Sequence, residues 1–189
     1  MGVALADAAA EYGADVDLVL GPVNIRPENK SVKIINVTTA ASMAEECITR
    51  FSGCDVAILA AAVADFTPVT SVGKKLKRGN ENLVLNLKPT EDIAKILGMS
   101  KKKFQIVAGF ALETDNELEN AKAKLKRKNL DLIILNSLND KGAGFEYDTN
   151  RITIIDRNNI IDKFELKTKE EAARDILDRI VTMLNSLPE

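Results

Sequence analysis

Short apolar runs and longer amphipathic segments alternate along the chain. Runs of strand length lie at 15–20, 33–37, 55–61, 105–111 and 130–135, and segments with helical spacing lie at 2–13, about 38–51, from about 90, 115–128 and 168–187. Strands that alternate with helices are typical of a doubly wound parallel sheet. The almost unbroken apolar run at 55–61 predicts a central strand buried on both faces.

Two regions depart from this alternation. Residues 66–82 are polar and contain Pro68, Gly73 and Gly79, which predicts a long mobile loop, and 83–87 alternates as a strand. Residues 152–156 and 160–166 flank Asn158-Asn159, a turn pair that predicts an antiparallel hairpin. The prediction is therefore one α/β domain over 1–189, with a doubly wound, Rossmann-like, mostly parallel sheet and a C-terminal antiparallel hairpin.

The first helix begins at residue 2, which is unusual for this fold class. A doubly wound domain normally opens with a strand and a Gly-rich turn that faces the ligand. We therefore expect the first strand and its turn to be lacking from this sequence.

Composition narrows the chemistry. The chain has no histidine, which excludes Ser-His and Cys-His nucleophiles and the common His-based zinc sites within it. A net charge of −2 does not favour nucleic-acid or anionic membrane partners, and no apolar run is long enough to span a bilayer. Cys47 and Cys54 are not spaced as a disulfide framework, which fits reduced thiols in a cytoplasmic compartment. Chemistry must rest on Lys, Arg, Asp, Glu, Asn and backbone dipoles.

Residues after the predicted strands are the first candidates for a ligand site, because ligands of open α/β sheets bind there. Small residues from Ala60 let a ligand approach the backbone, and Asp65 offers a carboxylate to a sugar hydroxyl or a magnesium ion; it could equally cap a turn. The cations at 74–78 suit a polyphosphate, but a solvated charge run explains them as well.

Three further side chains are candidates of the same kind. Phe110 follows another strand and can stack on a base or belong to the core. Lys124 and Lys128 share one face of a predicted helix and can bind an anion or simply face solvent.

Several of these segments form an ordered set. Ala-Ala-Val-Ala-Asp-Phe-Thr-Pro at 61–68, a Lys-rich loop, Gly-Phe-Ala-Leu-Glu-Thr at 109–114, Lys-Asn-Leu-Asp-Leu-Ile at 128–133, Gly144-Phe145 and Asp148-x-Asn150 follow one another. In that order they resemble phosphopantothenoylcysteine synthetase, the C-terminal ligase half of the bacterial bifunctional coenzyme A biosynthesis flavoprotein. The resemblance covers nearly the whole chain.

The resemblance implies a reaction. The family joins 4'-phosphopantothenate to L-cysteine: CTP and Mg²⁺ convert the carboxylate to an acyl-cytidylate, and the cysteine amine then expels CMP. It also implies a homodimer. The flavin-binding half is absent here, so no FMN is expected.

The resemblance also implies roles for individual residues. Lys75 of Lys75-Leu76-Lys77-Arg78 matches the catalytic lysine, and Asp65 is the candidate contact to Mg²⁺ through the triphosphate. The segment Thr90-Glu91-Asp92-Ile93 stands where many members have Asn-Pro-Asp-Ile. The implied CTP-binding residues are Ala61, Asp65, Lys75, Glu91, Asp92, Ile93, Ala94, Phe110, Lys124 and Lys128.

The family's upstream Asn, used when the acyl-cytidylate is converted, has no counterpart here, so we expect the chain alone not to complete the reaction. Two other functions stay open: an NAD(P)-dependent oxidoreductase, and a non-enzymatic nucleotide-binding or dimerisation module. The sequence has no G-x-G-x-x-G, the motif expected of the first, but that motif would lie in the upstream segment that we expect to be lacking, so the upstream sequence would decide between the two. Binding without turnover would favour the second.

Overall fold

A computed structural model describes residues 1–70, 73–77, 82–113, 115–137 and 148–187. Parts of three predicted motifs lie outside them: Arg78 and Gly79 of the Lys-rich loop, Thr114, and Gly144-Phe145. The elements are α1 (Gly2–Glu11), β1 (Asp17–Leu20), β2 (Lys33–Asn36), α2 (Ala40–Phe51), β3 (Val56–Leu59), β4 (Phe66–Pro68), β5 (Leu87–Pro89), α3 (Ile93–Ser100), β6 (Ile106–Glu113), α4 (Glu117–Arg127), β7 (Leu132–Ser137), β8 (Thr149–Asn150), β9 (Ile152–Asp156), β10 (Ile161–Lys163), β11 (Lys167–Thr168) and α5 (Lys169–Leu184).

The main sheet of the described residues has five strands in the order β10-β9-β7-β6-β3. Strands β3, β6 and β7 are parallel, while β9 pairs antiparallel with β7, and β10 pairs antiparallel with β9. Asp156 Oδ1 accepts from the backbone N–H groups of Asn158 and Ile160 and so shapes the β9–β10 turn. The predicted fold class, including the C-terminal hairpin, is confirmed.

Helices cover both faces of this sheet. On one face, Ile106, Ala108, Leu132 and Ile134 pack against α1 and α5. On the other, the intervening positions, such as Val107 and Ile133, pack against α2, α3 and α4. The strands alternate between the two helical layers, so nearly every position of β6 and β7 is apolar, as expected for a parallel sheet covered on both sides.

The prediction that the run at 55–61 forms a central strand buried on both faces is wrong for the described residues. Strand β3 pairs only with β6, lies at the edge of the main sheet, and its four residues are half-buried. Strands β1 and β2 form a separate parallel pair. An apolar run alone cannot distinguish a central strand from an edge strand that helices cover on its faces.

Within the region predicted as a loop at 66–82 and a strand at 83–87, the described residues nearest to its two ends pair as antiparallel strands. We call the described residues 66–70, 73–77 and 82–89 the arm. Strand β4 pairs with β5, with Phe66 opposite Pro89, and Val69 N donates to Asn86 O at 2.9 Å. The predicted strand is therefore displaced toward the chain's C-terminus, because two prolines and exposed side chains hid the pairing positions.

A buried ionic cluster lies at the amino end of β7. The Asp131 carboxylate accepts from Lys101 Nζ at 2.5 Å and from Val107 N at 2.8 Å, and Arg157 lies 3.1 Å from its other oxygen. This cluster joins the start of β7 to β6, at the end of the sheet opposite the carboxyl ends of the parallel strands.

None of the described helices combines the length and the apolar character that crossing a membrane requires.

Candidate functional site

The segments that follow β3 and β5 meet at the carboxyl ends of the parallel strands. Thr90 N donates to Asp65 O at 2.9 Å, and Thr90 Oγ1 donates to Ala64 O at 2.6 Å. The base of the arm thus holds Asp65 beside the segment 91–94, although this segment begins 26 positions later in the sequence. Ala61 and Asp65 are exposed here, so both are accessible to a ligand.

Asp92 and Lys128 form an ion pair at the N-terminus of α3. Asp92 is the N-cap of that helix, and its Oδ1 accepts from Lys95 N at 3.2 Å. The same oxygen accepts from Lys128 Nζ at 2.7 Å. The Lys128 side chain is 14% exposed and that of Asp92 42%, so the carboxylate covers the amine on its solvent side.

This pair lowers the pKa of the Asp92 carboxyl below its ordinary value. Partial burial acts in the opposite direction and is the largest single influence, but the hydrogen bonds from Lys128 and Lys95 and the nearby positive charges together outweigh it. Asp92 is therefore an ionised partner that fixes the lysine in place.

Lys124 lies one helical turn before Lys128, whose N–H donates to Lys124 O at 3.0 Å. Burial lowers the pKa of the Lys124 amine, and the charges of Lys128 and Arg127 lower it further, against the opposing effect of Glu113 and Asp92. Among the described residues, Lys124 has no ion pair within 4.0 Å. The predicted pair of lysines does share one side of α4, with Lys128 as its C-cap rather than its last helical residue.

Phe110 lies on the other face of the sheet. It is half-buried and packs against the apolar cluster formed with α1 and α5, whereas α4 covers the opposite face. The structure therefore does not bring Phe110 to the side of the lysines. A ligand that touches both must pass over the carboxyl end of β6.

The other residues of the segment 91–94 differ in exposure. Glu91 is exposed, Ile93 is 7% exposed within the core of the α2–α4 face, and Ala94 packs against that core. Any polar contact that Ile93 or Ala94 makes with a ligand must come from the backbone.

Lys75 is exposed in the arm. Within the described ranges the structure gives it no contact with Asp65, Asp92 or the lysines of α4. Its predicted catalytic role therefore remains a prediction from the sequence.

Carboxylates are the side chains that would bind Mg²⁺ at this site. No group of three or more Asp, Glu, Cys or His side chains that could hold a metal ion occurs among the described residues. Asp65 is a single exposed carboxylate beside the strand ends. Magnesium commonly uses one or two carboxylates together with substrate phosphates and water, so Asp65 suits a nucleotide-borne ion rather than a protein-built cage.

Sequence reasoning gave no role to three residues that shape this site: Thr90, Gly98 and Asn129. Thr90 closes the base of the arm, and the other two form the contact between α3 and the end of α4. A glycine inside a helix and an asparagine directly before a strand are signals that could have found the latter two.

The fold and the site define the class of this protein: a doubly wound α/β domain with a lysine-lined ligand edge at the carboxyl ends of its parallel strands. The sequence model of the DNA/pantothenate metabolism flavoprotein C-terminal domain matches residues 1–184. The chain belongs to that family.

Relatives of known name agree with this assignment. The coenzyme A biosynthesis bifunctional protein CoaBC of Bacillus subtilis is 41% identical over 183 residues, which are 97% of this chain and 45% of that protein. A protein named cysteine/cysteine sulfinic acid decarboxylase, from an unknown prokaryotic organism, is 62% identical over 185 residues, 98% of this chain and 52% of that protein. The chain thus spans about half the length of these curated relatives.

A solved structure supports the fold. The crystal structure of the C-terminal domain of a coenzyme A biosynthesis bifunctional protein CoaBC matches with a TM-score of 0.80 at 34% identity, and the match covers 97% of this chain and 82% of that one.

Proposed function

We propose that this chain is a phosphopantothenate–cysteine ligase domain that uses CTP. The observation that carries the proposal is the meeting of Asp65, Asp92, Lys124 and Lys128 at one sheet edge in a member of this family. Relatives named as coenzyme A biosynthesis bifunctional proteins support the substrate class.

The reaction assigns the residues distinct tasks. The carboxylate of 4'-phosphopantothenate attacks the α-phosphorus of CTP, and pyrophosphate leaves with the electron pair of the broken P–O bond. The cysteine amine then attacks the acyl carbon, loses a proton, and CMP leaves. Lysine amines suit the first step because its negative charge grows on phosphate oxygens.

Within that scheme, Lys75 on the arm is the group that reaches the triphosphate, while Lys124 and Lys128 donate to the nucleotide from α4. Asp65 would hold Mg²⁺ together with the nucleotide, and the ion would supply neutralising charge for the triphosphate.

Calorimetric titration tests nucleotide binding directly. With Mg²⁺ present, CTP should bind, and NAD should not. Lys124→Met should weaken CTP binding about tenfold or more, the effect of removing one charged contact. Lys126→Met is the matched control, because this lysine lies on the same helix but is exposed. Equal losses in the two variants, or tighter binding of NAD, would contradict the proposal.

Product analysis tests the chemistry. The chain is incubated with CTP, Mg²⁺, 4'-phosphopantothenate and cysteine, and mass spectrometry follows acyl-cytidylate and amide. Acyl-cytidylate or amide that appears only when CTP is present would support the ligase assignment. Amide formed equally well without CTP would contradict it.

Decarboxylation of cysteine or cysteine sulfinate is a second candidate, because the 62% identical relative carries that name. The lysine-lined edge suits phosphates better than this reaction, so we place it second. Release of CO₂ from cysteine or cysteine sulfinate without CTP would reverse the order.

Self-association through the arm is also proposed. The arm exposes apolar side chains on both of its sides: Phe66, Val69, Leu83, Val84, Leu85 and Leu87. Such a cluster is unusual on a monomer surface, and a second copy of the chain offers a complementary apolar arm. Val84→Glu should reduce the mass measured by light scattering from dimer to monomer. Val23→Glu, another exposed valine far along the chain, should leave it unchanged.

A further inference from the structure

Helix α3 and the end of α4 approach each other so closely that only glycine fits at the contact. A Cβ atom at Gly98 would lie 2.0 Å from Lys128 O and 3.0 Å from Asn129 O. Real Cβ contacts do not become this short, so a side chain here would force the backbone of Lys128 away from α3.

Asn129 closes the same contact from the other side. Its Nδ2 donates to Gly98 O at 2.7 Å. Its φ of 51° lies in the left-handed region, which asparagine tolerates better than most residues. The backbone conformation of Asn129 fixes the direction in which the chain leaves α4, and its side chain supplies a hydrogen-bond donor to the carbonyl of Gly98 near the end of α3.

Lys128 connects this contact to the ligand edge. Its backbone lies against Gly98, while its amine reaches Asp92 at the opposite end of α3. Gly98 lies six positions after Asp92, about 9 Å along the helix axis. The lysine side chain thus lies along α3, and the position of its backbone determines whether its amine reaches Asp92.

We propose that Gly98 and Asn129 are positioning residues for nucleotide binding, because they set where the Lys128 amine lies. The inference rests on the proposed function for its nucleotide, but the placement of the amine is a property of the protein alone. Neither residue touches the ligand; both act through Lys128.

The first test is a double-mutant cycle on CTP affinity. Asn129→Gly keeps the left-handed backbone accessible and removes the side-chain donor. It should weaken CTP binding roughly 5- to 10-fold, the scale of one misplaced hydrogen bond. In a Lys128→Met background the same substitution should have almost no further effect. Additive losses would overturn the inference, because a positioning residue can act only through the lysine it positions.

The second test needs no nucleotide. Brief acetylation with acetic anhydride, followed by mass spectrometry, measures how available each lysine amine is. Asn129→Gly should raise the rate at Lys128 by about threefold or more, since a displaced amine loses Asp92 and gains exposure. The exposed Lys126 is the internal reference.

Gly13→Ala is the matched control for general loosening. Gly13 has a φ of 86° and open space around it, so this substitution strains the end of α1 without touching α3 or α4. It should leave both CTP affinity and Lys128 acetylation unchanged. An unchanged Lys128 rate in Asn129→Gly overturns the inference whatever happens to affinity. If the unmodified chain fails to bind CTP, the proposed function fails, and acetylation alone decides the positioning role.

Discussion

Removing the carboxylate of Asp131 should be among the most damaging single changes to this fold. The side chain is 5% exposed and that of its partner Lys101 is 8% exposed, so the pair is screened little by water. Asp131→Ala leaves the Lys101 ammonium without its counter-ion and the N–H of Val107 without an acceptor. Arg157, which is half-exposed, can turn to solvent.

The magnitude follows from these two losses. Breaking a buried ion pair by removing one partner costs about 3–5 kcal/mol, and an unsatisfied buried donor costs about 1–3 kcal/mol. The two overlap, because relaxation around Lys101 also admits water to Val107. We therefore expect a loss of about 4 kcal/mol in the free energy of unfolding, which for a domain of this size lowers Tm by about 8–16 °C.

The assay is urea unfolding followed by circular dichroism, with Tm from calorimetry. The double variant Lys101→Met/Asp131→Asn is the rescue, because it removes the unpaired charge and keeps an acceptor for Val107. It should recover about half of the loss or more. The reasoning is refuted if Asp131→Ala costs less than about 1 kcal/mol in a cooperative transition, or if the double variant is no more stable than the single one.

Three further predictions concern the ligand edge. The pKa of the Asp92 carboxyl, measured by carbon-13 NMR, should lie below 3.8 and should rise in Lys128→Met. Because the pKa is depressed in the folded state, the ion pair stabilises the fold fully above pH 3.8, and this stabilisation is lost as the pH falls through the folded-state pKa. Lys75→Gln should lower turnover of a catalytically complete form by about 10² with unchanged Tm, and near-normal turnover would remove Lys75 from the mechanism. Gly98→Ala should destabilise the fold by about 1–3 kcal/mol in urea unfolding, because a helix would have to shift to admit one methyl group; a neutral result would mean that the α3–α4 contact is looser than the structure shows.

The alternation of apolar runs and helical segments predicted the fold class, because parallel strands that helices cover on both faces are nearly continuous runs of apolar residues. Strands β6 and β7 were placed within two residues of their true bounds for that reason. Strand neighbours were harder to predict: nothing local in Val56–Leu59 states which strand lies beside it, and so its edge position was missed. The arm was misjudged for a similar reason, since its pairing is fixed by contacts between positions about 20 residues apart.

The sequence indicated which segments form the candidate site better than it indicated which side chains contact one another there. The rule that ligands bind at strand carboxyl ends made Asp65 a candidate, and helical spacing made Lys124 and Lys128 candidates; their roles in binding stay predictions. Spacing could not show that Asp92 neutralises Lys128, because that pair spans 36 positions. The sheet face on which Phe110 lies depends on register, which no single segment specifies.

The two hydrogen bonds that Thr90 donates to residues 64 and 65 have a consequence for how this family can vary in length. They close the chain on itself at the base of the arm, so the described residues of the arm are anchored at that one point. Doubling the length of a flexible excursion costs only about 0.6 kcal/mol in closure entropy, while the joint itself is unchanged. Insertions and deletions should therefore accumulate in the outer part of the arm. The distances between Asp65, Thr90 and Asp92 in the folded structure should stay the same whatever the arm's length.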